Sequence, residues 1–156
     1  MSRWSRAEIE EAFARYQELG RRAAASGEWR EWADQFTPDA TYVEHFFGTM
    51  VGREAIYSWI QSTMSEWPGS EMIQFPIEWY IIDPERGWVV CQIWNLMADP
   101  GDGSILREHN FTLLKYAGDG LWSYEEDIYN PTRFIEMMEN YERLKATLAE
   151  QAEAEA

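Results

Sequence analysis

Residues 122–131 read Trp-Ser-Tyr-Glu-Glu-Asp-Ile-Tyr-Asn-Pro and put Glu125, Glu126 and Asp127 into a strand-like run. Three consecutive acids are foreign to strands, and strand alternation sends at least one of them to each face. If Glu125 and Asp127 take the core side, each must be paired, neutralised or set against a cavity. A carboxylate on an apolar cavity wall has its pKa raised toward neutrality. That is the condition for a base that removes a proton alpha to a carbonyl or activates water. Asp127 is therefore the candidate catalytic acid/base, against the alternatives of a solvent-facing acid or one paired with Arg53 or Arg133. Glu125 shares its parity and is a candidate ligand contact unless a bulge turns it outward, whereas Glu126 is expected to face outward.

Other residues could complete such a site. Tyr42, on an earlier strand-like run, could donate to a developing oxyanion, and Glu44 lies on the same face. For both, packing at a rim is the competing role. His45 faces opposite and reads as a cap or surface group. His109 and Asn110 are adjacent, so one of the two faces in. His109 is a catalytic candidate beside Asp127, Asn110 a binding candidate, and the register between them is open. Trp32 and Trp59 sit on helical faces that would roof a cavity. Asn95 belongs with Val89, Cys91, Ile93 and Met97, and Tyr129 shares the parity of Asp127; both are candidate ligand contacts. The two histidines have no metal-binding spacing, so no metal is expected. No glycine-rich phosphate loop follows a strand, and Asp99 and Asp102 would repel phosphate; no cofactor is expected.

The elements that must position these groups follow from periodicity. Ser5 with Glu8 forms a capping-box pattern, and Ile9, Phe13, Tyr16 and Leu19 continue a helical stripe to about Ala25, broken by Gly27. Trp29, Trp32, Ala33 and Phe36 predict a second, short helix that stops at Thr37-Pro38. A strand is expected over 40–46. Gly52 precedes a third helix with the stripe Ala55, Ile56, Trp59, Ile60 and Met64. The period then falls to two, with strands expected over about 72–83, 87–98, 105–117 and 121–129. They are separated by turn-like segments ending at Gly87, Gly103 and Gly120, the pattern of an antiparallel meander. Asn130 and Pro131 open a last helix carrying Phe134, Met137, Met138 and Tyr141 on one face. The reading is one α+β domain over 1–148, an antiparallel sheet on helices, followed by a disordered acidic tail over 149–156.

Composition bounds the function. The chain has 156 residues, enough for one core, and its nine Trp supply rings for a core or an apolar pocket. A net charge of −15 argues against nucleic acid and anionic membrane surfaces as partners. Cys91 is the single cysteine, which rules out an intramolecular disulfide and reads as a small buried hydrophobe. The amino terminus has no apolar leader and no stretch approaches a membrane span, so a cytoplasmic protein is expected. The strand 87–98 is apolar on both sides: Trp88, Val90, Trp94 and Leu96 alternate with Val89, Cys91, Ile93 and Met97. With helices on one face only, the other face is expected to be covered by a second copy of the chain.

The element order, with Trp32-Ala-Asp-Gln-Phe-Thr-Pro-Asp-Ala-Thr-Tyr-Val-Glu-His45, Gly52-Arg-Glu-Ala-Ile56 and Gly120-Leu-Trp-Ser-Tyr-Glu-Glu-Asp-Ile-Tyr-Asn130, resembles the NTF2-like superfamily and within it the SnoaL-like proteins. The resemblance spans about residues 5–145. It implies a cone-shaped fold: a curved antiparallel sheet, three helices from the first half of the chain and a C-terminal helix. It also implies a pocket for a small apolar molecule, of a cyclic, polyketide- or steroid-like kind. The superfamily holds isomerases, cyclases, dehydratases and hydrolases beside binding and assembly domains, so the fold does not fix the activity. Against limonene-epoxide hydrolase, Tyr42 matches the family's tyrosine, Glu44 stands where it has asparagine, and Asp127 matches its terminal-strand aspartate. The arginine and second aspartate are missing, Trp94 and Leu96 occupying that strand, which puts the water-activating mechanism out of reach. The simpler cyclase pattern, an acid/base aspartate with a nearby histidine, would be met by Asp127 with His109. A cofactor-independent acid/base enzyme and a non-catalytic binding or assembly domain both remain open.

Overall fold

The structure, a computed structural model, describes residues 2–156. Helix α1 spans Arg6–Ser26: the Ser5 hydroxyl accepts the Glu8 amide at its start, and Gly27 ends it in the left-handed conformation. Helix α2 is a single turn, Arg30–Ala33. Phe36 is not its last residue but opens strand β1, Phe36–Glu44, which pairs with a short unanticipated strand β2, Gly48–Val51. Helix α3, Arg53–Ser65, follows Gly52 as its stripe predicts. The run expected over 72–83 is two strands, β3 (Met72–Gln74) and β4 (Ile77–Asp83). The break falls at Phe75-Pro76, where proline has no N–H for the ladder. The meander continues through β5 (Trp88–Met97), β6 (Arg107–Gly118) and β7 (Leu121–Ile128). Asp119 and Gly120 both have positive φ, as a two-residue turn between twisted strands requires.

The strand order is β2-β1-β7-β6-β5-β3, with β4 also on β5. Strands β4 to β7 pair antiparallel in sequence, as expected. The sheet is nevertheless mixed, because β1 lies parallel to β7. The chain between them contains α3 and the meander, long enough for the crossover that parallel strands need and invisible to a reading based on adjacent hairpins. The fold is an α+β cone, a curved, unclosed sheet against helices.

The inner face of the sheet and helices α1 to α3 bury one main core, including Phe13, Trp32, Phe36, Ile56, Val89, Leu114 and Trp122. Helix α4, Pro131–Glu155, is capped by Asn130, whose Oδ1 accepts the Thr132 amide. It packs Met137 and Tyr141 on Met97 as a second, smaller cluster. The helix runs through 149–155, where a disordered tail is expected. Alanine and glutamate are strong helix formers, and the helix continues on that propensity with every side chain of 149–156 exposed.

Trp122 is fully buried, with ring centroids 5.3 Å from Tyr116 and 6.4 Å from Tyr16. Trp122→Ala is expected to cost about 3–5 kcal/mol of stability in urea unfolding. A loss below about 1 kcal/mol would contradict this placement of the core.

Candidate functional site

The parallel register between β1 and β7 builds the site. It sets Tyr42 opposite Glu125 and Glu44 opposite Asp127, and alternation turns all four toward the cone. Antiparallel pairing sets Thr112 of β6 beside Asp127 and Asn110 beside Ile93 of β5. These groups border a cavity of about 900 Å³ whose remaining wall is largely aromatic and aliphatic. Tyr42, Glu44, Trp32, Trp59, Asn95, Asn110, Glu125, Asp127 and Tyr129 all line it, so nine of the ten sequence candidates converge on one space.

His109 is the exception, and its role as Asp127's partner is corrected. It pairs with Trp94 across the β5–β6 ladder, on the convex face. There its ring lies 5.2 Å from Trp94 and 5.4 Å from Phe111. Asn110, the adjacent residue, takes the inner position. Glu126 also faces outward, bonding His45 Nε2 at 2.8 Å and accepting the Tyr124 hydroxyl at 2.8 Å. Neither arginine considered as a partner reaches Asp127: Arg53 donates to the Phe36 carbonyl and Arg133 to Glu108.

Asp127 is half-buried on the cavity wall and collects hydrogen bonds from neutral donors. Thr112 Oγ1 donates to Oδ1 at 2.6 Å, Asn110 Nδ2 approaches the same oxygen at 3.3 Å, and the Tyr42 hydroxyl donates to Oδ2. Asn95 orients Asn110 by donating to its Oδ1 at 2.8 Å, and Asn110 in turn donates to Thr112 Oγ1 at 2.8 Å. This relay directs its donors onto Asp127, an arrangement suited to an ionised acceptor. A carboxylate has about four acceptor sites, so three bonds leave one open. Burial pushes the Asp127 pKa up to about 6, opposed by the Thr112 and Tyr42 bonds and reinforced by the neighbouring charge of Glu44.

Glu125 lies deeper, 1 % exposed. The Tyr16 hydroxyl donates to its Oε1 at 2.7 Å, and the Tyr42 hydroxyl lies 3.1 Å from the same atom. Oε2 is buried without a hydrogen-bond partner. Burial, then the charge of Asp127, drives its pKa well above the ordinary carboxylate range, the two tyrosine bonds only moderating the rise. A neutral carboxyl fits this geometry. Its proton on Oε1 donates to the Tyr42 oxygen, whose own proton is committed to Asp127, and Oε2 is then a carbonyl oxygen. Leaving a neutral carbonyl unpaired costs about 1–3 kcal/mol; half of a carboxylate would cost more. With Glu125 neutral, the wall would hold a directed chain, Glu125 to Tyr42 to Asp127, with the negative charge on Asp127. The Tyr42 hydroxyl lies within hydrogen-bond distance of both acids.

Glu44 is buried and accepts the amides of Phe46 at 2.7 Å and Phe47 at 2.5 Å, which fixes the bend between β1 and β2 at the cavity mouth. Tyr129 stands nearby, its phenol pushed up first by burial and then by Glu44. Cys91 is buried as expected, its thiol held up by burial and by the two inner acids. Two contributors were not singled out from the sequence. Tyr16 looks like any aromatic of a helix stripe, and Thr112 like any β-branched strand residue. Only the side-by-side placement of α1, β6 and β7 gives their hydroxyls a purpose. Among the described residues no cluster of three His, Cys, Asp or Glu side chains could hold a metal ion.

The fold has many solved counterparts. A protein assigned as a SnoaL-like polyketide cyclase from Jannaschia is 17 % identical, over 88 % of this chain and 97 % of that one, with a TM-score of 0.67. A protein of ketosteroid isomerase-like fold from Catenulispora acidiphila, solved with trimethylamine, is 23 % identical over 84 % and 92 %, with a TM-score of 0.63. SalBIII, an epoxide hydrolase/cyclase-like enzyme with a role in pyran-ring formation in the polyether salinomycin, is 13 % identical over 81 % and 94 %, with a TM-score of 0.61. At these identities the likeness is one of fold. No curated protein matches the chain. The profile of the SnoaL-like domain, however, matches residues 1–117, three-quarters of the sequence, and with the cone-shaped fold this establishes that the chain belongs to the SnoaL-like domain family.

Proposed function

We propose that the cone binds a small apolar molecule with a cyclic, polyketide- or steroid-like frame, and that Asp127 exchanges a proton with it without a cofactor. The observation that carries this is Asp127 itself: a cavity-lining carboxylate whose burial pushes its pKa up to about 6, with one acceptor site open and Glu125 linked behind it through the Tyr42 hydroxyl. A base with a pKa near the working pH combines a large ionised fraction with useful proton affinity. Removal of a proton alpha to a ring carbonyl, as in an isomerase or cyclase, uses these groups directly. The hydrolase arrangement is less suited, because among the described residues no arginine stands beside Asp127, and the one arginine lining the cavity, Arg21, is bonded to Glu18. Other solved proteins of this fold support ligand binding by analogy, one holding trimethylamine.

The same absence favours a second reading, a non-catalytic ligand-binding or assembly domain in which the polar wall only orients a guest. Under either reading we propose a homodimer through the convex sheet face. Trp79, Ile81, Val90, Phe111 and Ile128 are exposed there together, Ile81 by 64 %. A partner would remove this apolar surface from water. No helix is long and apolar enough to cross a membrane among the described residues.

Two outcomes follow. Asp127→Asn is expected to lower turnover by about 10²- to 10⁴-fold across a panel of ring ketones, with solvent-deuterium incorporation alpha to the carbonyl as the readout. Binding of the same compounds should persist. Equal turnover by wild type and variant leaves only the binding reading. Independently, the Asp127 side-chain carboxyl should titrate at about 6 by carbon NMR, and Thr112→Val should raise the midpoint by removing a donor to the ionised form. Because the native pKa exceeds the ordinary aspartate value near 4, the native state binds the extra proton between about 4 and 6. This group's contribution to stability is therefore present below about 4 and lost as pH rises through 6. Asp127→Asn should abolish that component of the pH dependence. A midpoint near 4 would contradict the poised base.

A further inference from the structure

We infer that the ligand of the cone carries a positive charge: a protonated or quaternary amine on an apolar frame. This rests on the cone's being a ligand site and goes further by assigning the chemical class. The charged groups of the cavity wall are one-sided. Glu44 and Asp127 face it, with Glu125 behind them, and among the described residues the only basic side chain lining it is Arg21, more than two-thirds exposed and already in a two-pronged pair with Glu18. Elsewhere two part-buried acids have a cation: Glu108 has Arg133 and Glu71 has Lys145. Glu44 and Asp127, neighbours across the parallel β1–β7 pair, receive hydrogen bonds only from amides and hydroxyls. Like charges held side by side on an apolar wall are costly, and a bound cation is what would relieve them.

The aromatic part of the wall suits the same guest. Tyr42 and Trp59 have ring centroids 4.9 Å apart, and Phe47, held at the mouth by the hydrogen bond its backbone N–H donates to Glu44, lies 5.9 Å from Trp59. Ring faces beside carboxylates are the setting in which alkylammonium groups are recognised, with the rings contacting the methyl groups and the acids supplying the charge. An anionic guest would meet two carboxylates and no interior cation. A neutral guest would gain the rings but leave the acids uncompensated. The net charge of −15 also steers cations toward the molecule.

The test is a shape-matched pair: (3-hydroxyphenyl)trimethylammonium and 3-tert-butylphenol, titrated into the intact protein at neutral pH and low salt, with Kd values from NMR shifts. The ammonium compound is expected to bind at least about tenfold more tightly. Glu44→Gln and Asp127→Asn should each shrink that preference several-fold. Equal or tighter binding of the phenol by wild type would overturn the cation while leaving an apolar ligand site intact. A preference undiminished in both variants would overturn the role of the two carboxylates. If neither compound moves the resonances of the cone, the ligand site and the charge assignment fall together.

Discussion

The parallel pairing of β1 with β7 is the constraint on which the rest of the site depends. It joins the first strand of the chain to the last and fixes which side chains share the inner wall: Tyr42 with Glu125, and Glu44 with Asp127. A slip of one residue in either strand would turn its acids to the convex face and bring Val43 or Glu126 inward. The register is held by the buried set on both strands, Phe36, Ala40 and Tyr42 on one and Trp122 and Glu125 on the other. The site and the core are thus specified by the same interactions.

Placing three carboxyl groups in the concavity of a small domain opposes folding, and the structure offsets that cost differently for each. Glu44 receives two backbone amides at the end of its strand. Asp127 stays at the cavity surface and is surrounded by hydroxyl and amide donors. Glu125, the deepest, has only two tyrosine hydroxyls near one oxygen, and burial raises its pKa well above the ordinary carboxylate range. Two acids two residues apart are in this way driven toward different protonation states. That difference is what an acid/base site requires, and it arises from depth and donor count rather than from any special residue.

Much of this was legible in the sequence, for identifiable reasons. The helical stripes of α1 and α3, the glycine and proline punctuation and the strand meander are local signals, and apart from the break at Phe75-Pro76 they appear where they were read. The acid run at 125–127 signalled a polar wall because strands rarely tolerate it. Long-range relations were not legible. The β1–β7 partnership has no local signature, and the strand register that decides between His109 and Asn110 is set by Ile93 across the ladder. Tyr16 and Thr112 entered the site through neighbours 109 and 15 residues away in sequence. Such residues carry generic packing identities until the tertiary fold brings a carboxylate to them. The helical continuation of the tail shows the converse case, where local propensity alone suffices.

The division of charge between Glu125 and Asp127 is most directly tested by infrared spectroscopy of the protein labelled with ¹³C at the glutamate side-chain carboxyl, recorded at neutral pH. A protonated-carboxyl band is expected in the wild type, and it should vanish in Glu125→Gln. A spectrum in which every labelled glutamate absorbs as a carboxylate would show Glu125 to be ionised, and the directed chain from Glu125 through Tyr42 to Asp127 would not exist.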